Sequence, residues 1–341
     1  MKPSLWIGTL AAAALGAQAT PTASSTPSNP VRSVRNVFTF PNNTFIENIA
    51  VRSNSRLLIT SMSVPTLFTL NPTLANPTAS ILHTFPNASG LAGVAEVRPD
   101  VFAVVSGIWD LYTTRAQLGS LQVWTIDLTK PTPAVKLIAT IANSTIFNGL
   151  ARHPFNPDLL LAADSELGAV WRVNLKTGAY GIALSSPFLA PAPGNPLGTN
   201  MGINGLKVAG AHVFFTNSGQ RSFGKIPIDA QGNQAGAVVV LANSTVAGAS
   251  VVYDDFALTG GDGAWIASHP SQAVRVAPSG GAQFVVDEPS VLFNPTAAAL
   301  GRGSPAQEKT VYVTNGGRFV FTDTEVGFDL VDNGVAAVLL W

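Results

Sequence analysis

Six apolar segments recur along the chain at intervals of about 40 to 60 residues, and this repeat constrains the fold more than any other feature. Each segment ends in a small or polar pair of residues. The segments are residues 56–61, 101–106, 159–164, 212–217, 264–269 and 310–315. Short apolar runs between Gly, Pro, Asn and Asp turns, without a 3.6-residue periodicity, indicate an all-β protein.

Units of about four strands, repeated six times, predict a six-bladed β-propeller. The count closes if residues 36–40 pair as the outer strand of the last blade, beside residues 334–341, because no sheet edge is then left open. Strands packed between blades are buried on both faces, which accounts for the charged fraction of only 11%. The alternative, a pair of two-sheet sandwiches, needs a domain boundary, and no linker interrupts residues 35–341.

The N-terminus has the pattern of a secretory signal peptide. Lys2 precedes an apolar run over residues 5–16, and Ala17-Gln18-Ala19 has the small-x-small pattern of a cleavage site. We therefore expect a signal peptide at 1–19, a Ser/Thr/Pro-rich spacer at 20–34 and a single propeller domain at 35–341. A buried N-terminal helix is the alternative for the first segment. No later run approaches the roughly 20 apolar residues of a membrane-spanning helix.

Four N-x-Ser/Thr sequons follow the leader and support the secretory route, to the outside of the cell or to a vesicle. Their asparagines, each after a short β-branched or aromatic run, are Asn42, Asn87, Asn143 and Asn243. The chain has no cysteine, which excludes disulfides and a thiolate nucleophile. Lys+Arg and Asp+Glu are 19 each, and this neutrality speaks against a nucleic-acid partner.

Polar residues stand at the start of four of the six predicted innermost strands, where the strands are otherwise apolar. Glu47, Asn148 and Asn204 occupy three of these starts, and either Asp254 or Asp255 occupies the fourth. In a propeller these starts surround one channel mouth, so the side chains are predicted to form a shared site. Carboxylate and amide oxygens suit Ca²⁺, Mg²⁺ or Mn²⁺. Taken singly, each of these residues is also explained as a turn or capping residue.

This pattern of Glu, two Asn-Gly-Leu segments and Asp resembles the propellers grouped with senescence marker protein, gluconolactonase and luciferin-regenerating enzyme. The resemblance covers the mature chain. It implies a divalent cation on the axis held by Glu47, Asn204 and Asp255, with Asn148 near the substrate. In the lactonases of this family the Asp is also the general base. Two departures put that chemistry in question: Asn48-Ile49 replaces Gly-Pro after the Glu, and Phe256 replaces Gly after the Asp.

The chain is more similar to secreted fungal propellers of this superfamily, on four segments: residues 147–151, 203–207, 214–219 and 254–257. Relatives in tropolone–sesquiterpenoid biosynthesis are hetero-Diels–Alderases of meroterpenoid secondary metabolism. The resemblance implies cycloaddition of a quinone-methide-type heterodiene with a terpene olefin, and no cofactor is required. Such chemistry needs an apolar pocket that holds two reactants together, with a polar group at the heterodiene oxygen. The expected catalytic set is Glu47, Asn148, Asn204 and Asp255.

Loops after the six repeated segments are predicted to roof this pocket and to bind a small hydrophobic substrate. The candidate substrate-binding residues are Met62, Trp109, Asn217, Phe256 and His269, and His269 is also a candidate acid or base. Packing between blades is the alternative role of the aromatic residues.

The sequence lacks the G-x-S-x-G, H-E-x-x-H, P-loop and G-x-G-x-x-G motifs. Three hypotheses therefore remain. The first is a hetero-Diels–Alderase, the second a metal-dependent lactonase or related hydrolase, and the third a non-catalytic secreted binding propeller.

Overall fold

The repeat folds into six antiparallel sheets of four strands each, together with two short two-stranded hairpins. The structure is a computed structural model, and it describes residues 30–193, 200–244, 251–278, 280, 283–322 and 327–341. The predicted signal peptide lies outside the described residues, as does the spacer up to residue 29. The sheets are the blades of a six-bladed β-propeller, so the predicted fold class is confirmed.

The first strand of the chain, β1 (Val31–Thr39), belongs to the last blade, and the other strands follow in blade order. Blade 1 contains β2 (Ile46–Val51), β3 (Leu57–Ser61), β4 (Thr66–Leu70) and β5 (Ala79–Thr84). Blade 2 contains β6 (Gly90–Arg98) and β7 (Val101–Gly107), the hairpin β8 (Trp109–Asp110) and β9 (Arg115–Ala116), then β10 (Leu121–Asp127) and β11 (Ala134–Ile141). Blade 3 contains β12 (Phe147–Arg152), β13 (Leu159–Asp164), β14 (Ala169–Asn174) and β15 (Tyr180–Ser185).

Blades 4 and 5 repeat the simple four-strand pattern. Blade 4 contains β16 (Ile203–Ala209), β17 (His212–Asn217), β18 (Ser222–Pro227) and β19 (Val239–Asn243). Blade 5 contains β20 (Val252–Leu258), β21 (Ala264–His269), β22 (Gln272–Val276) and β23 (Gln283–Asp287). Blade 6 contains β24 (Pro295–Leu300), the one-turn helix α1 (Pro305–Glu308), β25 (Thr310–Asn315), the hairpin β26 (Arg318–Thr322) and β27 (Gly327–Val331), and β28 (Gly334–Leu340). The described residues include no helix with the length and hydropathy needed to cross a bilayer.

The N-terminal strand closes the ring, as predicted. β1 pairs antiparallel with β28, from Val31 opposite Leu340 to Thr39 opposite Gly334, and becomes the outer strand of blade 6. The strand begins earlier than the expected domain start at residue 35, so residues 31–34 are not part of the spacer. The reason is packing, because Val31 and Val34 lie against the apolar cluster between blades 5 and 6.

One apolar cluster fills each of the six interfaces between neighbouring blades. β7 shows how a strand serves two of them. Val101, Ala103 and Val105 face blade 3, whereas Phe102 and Val104 face blade 1. Successive side chains of a strand point to opposite faces, so both sides of the strand are buried and its sequence is an unbroken apolar run. This arrangement explains the scarcity of charged residues.

Every innermost strand carries an irregularity of register near its start. The pairing skips between Ile46 and Ile49 in β2, and similar skips follow Leu91, Phe147, Ile203, Tyr253 and Pro295. At a bulge the side chains change direction, and some backbone N–H and C=O groups are no longer hydrogen-bonded to the neighbouring strand. Threonines on the second strands bind some of these groups: the Gly205 amide donates to Thr216 Oγ1 at 2.9 Å, and Thr216 Oγ1 donates to the Asp254 carbonyl of the next blade at 2.7 Å. The bulges thus repeat at one level around the axis.

Candidate active site

The first bulged residue of four inner strands projects a polar side chain into a cavity at the channel mouth. These residues are Glu47, Asn148, Asn204 and Asp254, from blades 1, 3, 4 and 5. All four are at least nine-tenths buried. They form a polar floor, in which Glu47, Asn148 and Asn204 lie together as the repeat predicts.

The cavity above this floor has a volume of about 470 Å³, within the usual range for small-molecule sites. Its walls are mainly apolar, and only a few polar groups interrupt them. Besides the floor, its lining consists of Phe45, Met62, Leu111, Tyr112, Thr114, Ile146, Met201, Ser218, His269, Asn294 and Phe319. A cavity with this lining suits a ligand that is apolar over most of its surface and has a polar group at one end.

Two hairpins form the upper wall of the cavity. The hairpin β8–β9 supplies Leu111, Tyr112 and Thr114, and β26 supplies Phe319. The Phe319 ring lies 6.5 Å from the ring of Phe45, measured between centroids. Both hairpins are inserted between the second and third strands of their blades, blades 2 and 6, which flank blade 1. Both therefore lie at the mouth of the channel.

The β8–β9 hairpin is fixed at its base. Arg115 Nε lies 3.0 Å from Glu166 Oε1 on the β13–β14 turn, and the Trp109 indole donates to the Gly90 carbonyl at 3.2 Å. The Trp109 backbone amide also donates to Ser89 Oγ at 2.7 Å. Trp109 therefore supports the hairpin from below and does not line the cavity.

Asp254 and His269 form a hydrogen-bonded pair in the cavity wall. His269 Nε2 lies 2.8 Å from Asp254 Oδ2, and the opposite ring nitrogen faces Asn294 Oδ1 at 3.5 Å. Asn294 Nδ2 donates to the Gly317 carbonyl at 2.7 Å, which fixes the orientation of its amide. Burial raises the pKa of Asp254, and the bond to His269 opposes that rise. The pair can hold or move a proton at the cavity wall.

Glu47 is the most strongly perturbed acid of the site. Burial is the main cause that raises its pKa well above the usual range, and repulsion from Asp254 and Asp255 adds to the rise. A carboxyl group in this environment keeps its proton to higher pH than an exposed glutamate. In that neutral state it can donate a hydrogen bond to an oxygen atom in the cavity.

The floor residues supply oxygen atoms of the kind that bind a hard divalent cation. The Oδ1 atoms of Asn148 and Asn204 are buried without a partner among the described residues, while Asn204 Nδ2 donates to Ser218 Oγ at 2.9 Å. Amide and carboxylate oxygens are ligands for such a cation, and Glu47 stands beside them. No cluster of three His, Asp or Glu side chains suited to a metal occurs in the described part of the chain. The oxygen atoms that would hold a cation are those of Glu47, Asn148 and Asn204, whereas Asp254 Oδ2 is hydrogen-bonded to His269.

Asp255, the aspartate expected to hold a metal and act catalytically, does not line the cavity. It is the second bulged residue, so its side chain points below the floor. Lys207 Nζ lies 2.6 Å from both of its carboxylate oxygens, and Asn48 Nδ2 donates to it at 3.0 Å. With both oxygens occupied, Asp255 is unavailable as a ligand or base in this cavity. Asp254 is the axial aspartate of the two.

Two further expected substrate-binding residues also lie elsewhere. Asn217 is buried, and its Nδ2 donates to the carbonyls of Phe188 and Ala190, which shapes the loop before blade 4. Phe256 is buried among the apolar residues between blades 4 and 5, with its ring centroid 5.1 Å from that of Phe223. Met62 and His269 do line the cavity.

The floor positions of the repeat do not mark every residue of the cavity. Leu111, Tyr112 and Phe319 lie in the inserted hairpins, and the greater length of those connections was the only signal in the sequence. Phe45 and Ile146 each stand two positions before a floor residue, so the same register that identifies Glu47 and Asn148 could have found them.

The four sequon asparagines share a position in the fold. Each lies at the end of the outermost strand of one blade or just after it, where the chain leads to the innermost strand of the next blade at the mouth face, and each is exposed. They are Asn42, Asn87, Asn143 and Asn243. Thr245, the hydroxyl residue of the last sequon, lies outside the described residues.

Comparison with known proteins supports both the fold and the resemblance. No protein-family model matches the chain. A protein of Sarocladium schorii named "Putative hetero-Diels-Alderase" is 27% identical over 313 residues, covering 82% of this chain and 77% of its own. A protein of Phoma sp. with the same name is 26% identical over 309 residues, covering 81% and 84%.

Solved structures share the fold at lower identity. Luciferin-regenerating enzyme superposes with a TM-score of 0.62 at 14% identity, covering 90% of this chain and 95% of its own. Regucalcin from Agrobacterium tumefaciens, a calcium-binding protein, gives a TM-score of 0.57 at 14% identity, covering 88% and 91%. The chain is thus a six-bladed propeller that resembles luciferin-regenerating enzyme in fold and proteins named hetero-Diels–Alderases in sequence, as its motifs predict.

Proposed function

We propose that this protein is a pericyclase of secondary metabolism, of the hetero-Diels–Alderase type. The observation that carries the proposal is the division of one cavity into a buried polar floor and apolar walls. A quinone-methide-type heterodiene has one oxygen terminus on an otherwise apolar skeleton, and a terpene olefin is apolar throughout. The sequence relatives named for this reaction support the same assignment.

The reaction requires positioning and a donor. In the cycloaddition one C–C and one C–O bond form as three π bonds become one, with no leaving group and no net proton transfer. Holding both reactants in contact removes much of the entropic barrier. Neutral Glu47 donates a hydrogen bond to the heterodiene oxygen and withdraws electron density from the diene, which lowers the barrier further. The apolar walls hold the olefin above the diene.

The test is to generate the heterodiene in the presence of the olefin and the purified protein, and to measure cycloadduct by chiral chromatography. We expect a faster reaction with one dominant stereoisomer. Glu47→Met should lose about tenfold in rate, the effect of one hydrogen bond of about 1.4 kcal/mol. Product formation and stereochemistry equal to those of the reaction without protein would overturn the proposal.

A metal-dependent lactonase is the second candidate, and the two unpartnered amide oxygens favour it. Asn148, Asn204 and Glu47 would hold the cation, which polarises a lactone carbonyl when bound. Asp254, oriented by His269, would accept the proton of the attacking water. Hydrolysis of lactones that EDTA abolishes and Ca²⁺, Mg²⁺ or Mn²⁺ restores would favour this function. Inactivity in both assays would favour the third hypothesis, a non-catalytic binding propeller.

We also propose that the protein enters the secretory pathway and carries N-glycans around the channel mouth. The leader pattern at 1–19 and the exposure of the four sequon asparagines support this. Expression in a eukaryotic host, followed by endoglycosidase treatment and mass spectrometry of the secreted protein, tests the proposal. Glycan at Asn42, Asn87, Asn143 or Asn243 is the expected result, and an unmodified intracellular protein would contradict it.

A further inference from the structure

The end of the channel opposite the mouth holds a second cavity, of about 500 Å³. Its walls come from the last residues of all six inner strands. Small side chains at equivalent positions leave the space open: Ala50, Ala95, Ala151, Ala257 and Ala299. The cavity is therefore a feature of the repeat, lined by apolar residues from every blade.

This second cavity is separate from the active-site cavity. Between them lie Asp255 and Asn48, joined by the 3.0 Å hydrogen bond, and the closely packed bulges of neighbouring blades. At Gly149 a Cβ atom would lie only 2.3 Å from the Leu206 amide nitrogen, so the strands are in contact at this level. A ligand in the second cavity would not reach the polar floor.

Three cations and one carboxylate line the second cavity. Glu96 Oε2 accepts from Arg302 at 2.6 Å, and Glu96 Oε1 accepts from the Asp100 amide at 2.9 Å, so this carboxylate is committed. Lys207 is paired with Asp255, whose side chain is 1% exposed and lies behind the wall. With Arg302 paired to Glu96 and Lys207 paired to Asp255, the charge that remains uncompensated among the described residues of this cavity is that of Arg152, which attracts anions locally.

Arg152 is the group with free donors. Its side chain is exposed at the end of β12, and it makes no hydrogen bond or ion pair within the described ranges. A guanidinium offers a planar pair of donors that matches a carboxylate or a phosphate. Lys207 and Arg302 retain further N–H groups at the same wall.

From this arrangement we infer that the second cavity binds an amphipathic organic anion, with its acidic head at Arg152, Lys207 and Arg302 and its apolar body among the alanines. Apolar walls with a few placed polar groups are the usual composition of a small-molecule site. The head group is a carboxylate or a phosphate, since both present the acceptor geometry that arginine recognises. This site is independent of the reaction proposed for the mouth.

The test is isothermal titration calorimetry of the purified protein with octanoate, octyl phosphate and octanol. We expect one molar equivalent of the anions to bind at least tenfold more tightly than octanol, and binding to weaken with added salt. The better of the two anions identifies the head group. Arg152→Gln, at an exposed position, should lose about tenfold in affinity for the anion, whereas Arg275→Gln, on β22 outside the cavity, should bind like the wild type.

Anion affinity no greater than that of octanol overturns the inference. So does anion binding that is unchanged by Arg152→Gln, because the ligand then sits elsewhere, including the cavity at the mouth. Cycloaddition activity plays no part in either readout, so failure here is distinguishable from failure of the proposed pericyclase function.

Discussion

Adjacent residues at the bulges of the inner strands have different environments. In blade 5, Asp254 faces the cavity and bonds to His269, while the side chain of Asp255 points below the floor and bonds to Lys207. In blade 1, Glu47 faces the cavity and Asn48 bonds to Asp255. In these two bulges one residue is therefore available for chemistry, and the next one stabilises the ring.

The pairing of Asp255 with Lys207 predicts that the single variant Lys207→Met is less stable than the double variant in which Asp255 is also replaced. Lys207→Met leaves a buried carboxylate with fewer donors, so we expect a loss of about 2–4 kcal/mol in the free energy of unfolding. The double variant Lys207→Met/Asp255→Asn should recover most of that loss, because no unpaired charge remains. Urea unfolding of the four proteins measures the cycle, and equal losses in the single and double variants would contradict the pairing argument.

Glu47 predicts a specific dependence of stability on pH. The folded-state pKa of Glu47 is raised above the unfolded value of about 4.3. The protonated carboxyl group therefore makes its full contribution to the stability of the fold when the pH is below this unfolded value. This contribution is lost as pH rises through the higher folded-state pKa. We expect Glu47→Gln to match the wild type near pH 4 and to become increasingly more stable than it towards neutral pH. Urea unfolding across that range tests this, and a difference that does not vary with pH would show that Glu47 titrates normally.

At the scale of the element, the inner strands approach one another so closely that the second bulged residue is glycine in three blades. A Cβ at Gly93 would lie 2.1 Å from the Asn148 carbonyl oxygen, and one at Gly205 would lie 2.5 Å from Asp255 Oδ1. The inserted hairpins are different, since they extend away from the blades and contribute apolar surface to the mouth. The inner strands set the floor, and the hairpins set the upper wall.

Substitution of an axial glycine should therefore destabilise the ring. Gly93→Ala forces the backbones of blades 2 and 3 apart, and we expect a loss of about 3 kcal/mol or more. Gly181→Ala is the matched control, because a Cβ there meets no atom within 4 Å. Thermal unfolding of both variants tests the close approach, which would be contradicted if Gly93→Ala unfolded at the wild-type temperature.

The hairpin β26–β27 should control selectivity more than stability. Phe319 is 41% exposed and lies on an inserted hairpin, so Phe319→Ala should lower the free energy of unfolding by about 1–2 kcal/mol, less than the loss of a fully buried aromatic residue. In the cycloaddition we expect a higher KM for the olefin and a changed ratio of stereoisomers. Val320→Ala, beside it on the same strand and outside the cavity lining, is the control. Identical product ratios for Phe319→Ala and the wild type would remove the hairpin from the site.

At the scale of the molecule, the ring is closed by the pairing of β1 with β28. Removal of residues 1–29 should leave the stability unchanged, because β1 begins at Val31. Removal of residues 1–40 exposes the edge of β28 and uncovers apolar clusters on both sides of blade 6. We expect the longer deletion to aggregate or to unfold at a much lower temperature. A monomeric, equally stable product would show that β1 is not needed for closure.

The sequence predicts the ring and part of the site for identifiable reasons. Glu47, Asn148 and Asn204 are recognisable because the same register recurs in each blade. The choice between Asp254 and Asp255 depends on a one-residue offset at the bulge, which the repeat does not encode. Trp109 and Phe256 are aromatic residues whose direction depends on tertiary packing. Phe319 lies in an insertion outside the repeat, where no pattern applies.

The most direct test of the proposed chemistry is the pH dependence of the cycloaddition rate with wild-type protein and Glu47→Gln. A neutral Glu47 that donates to the heterodiene oxygen predicts a rate constant that falls as pH rises through the raised pKa of this group, with EDTA present or absent. Glu47→Gln, whose amide donates at every pH, should react more slowly at low pH and show no such fall. A wild-type rate that increases with pH and requires a divalent cation would contradict this account.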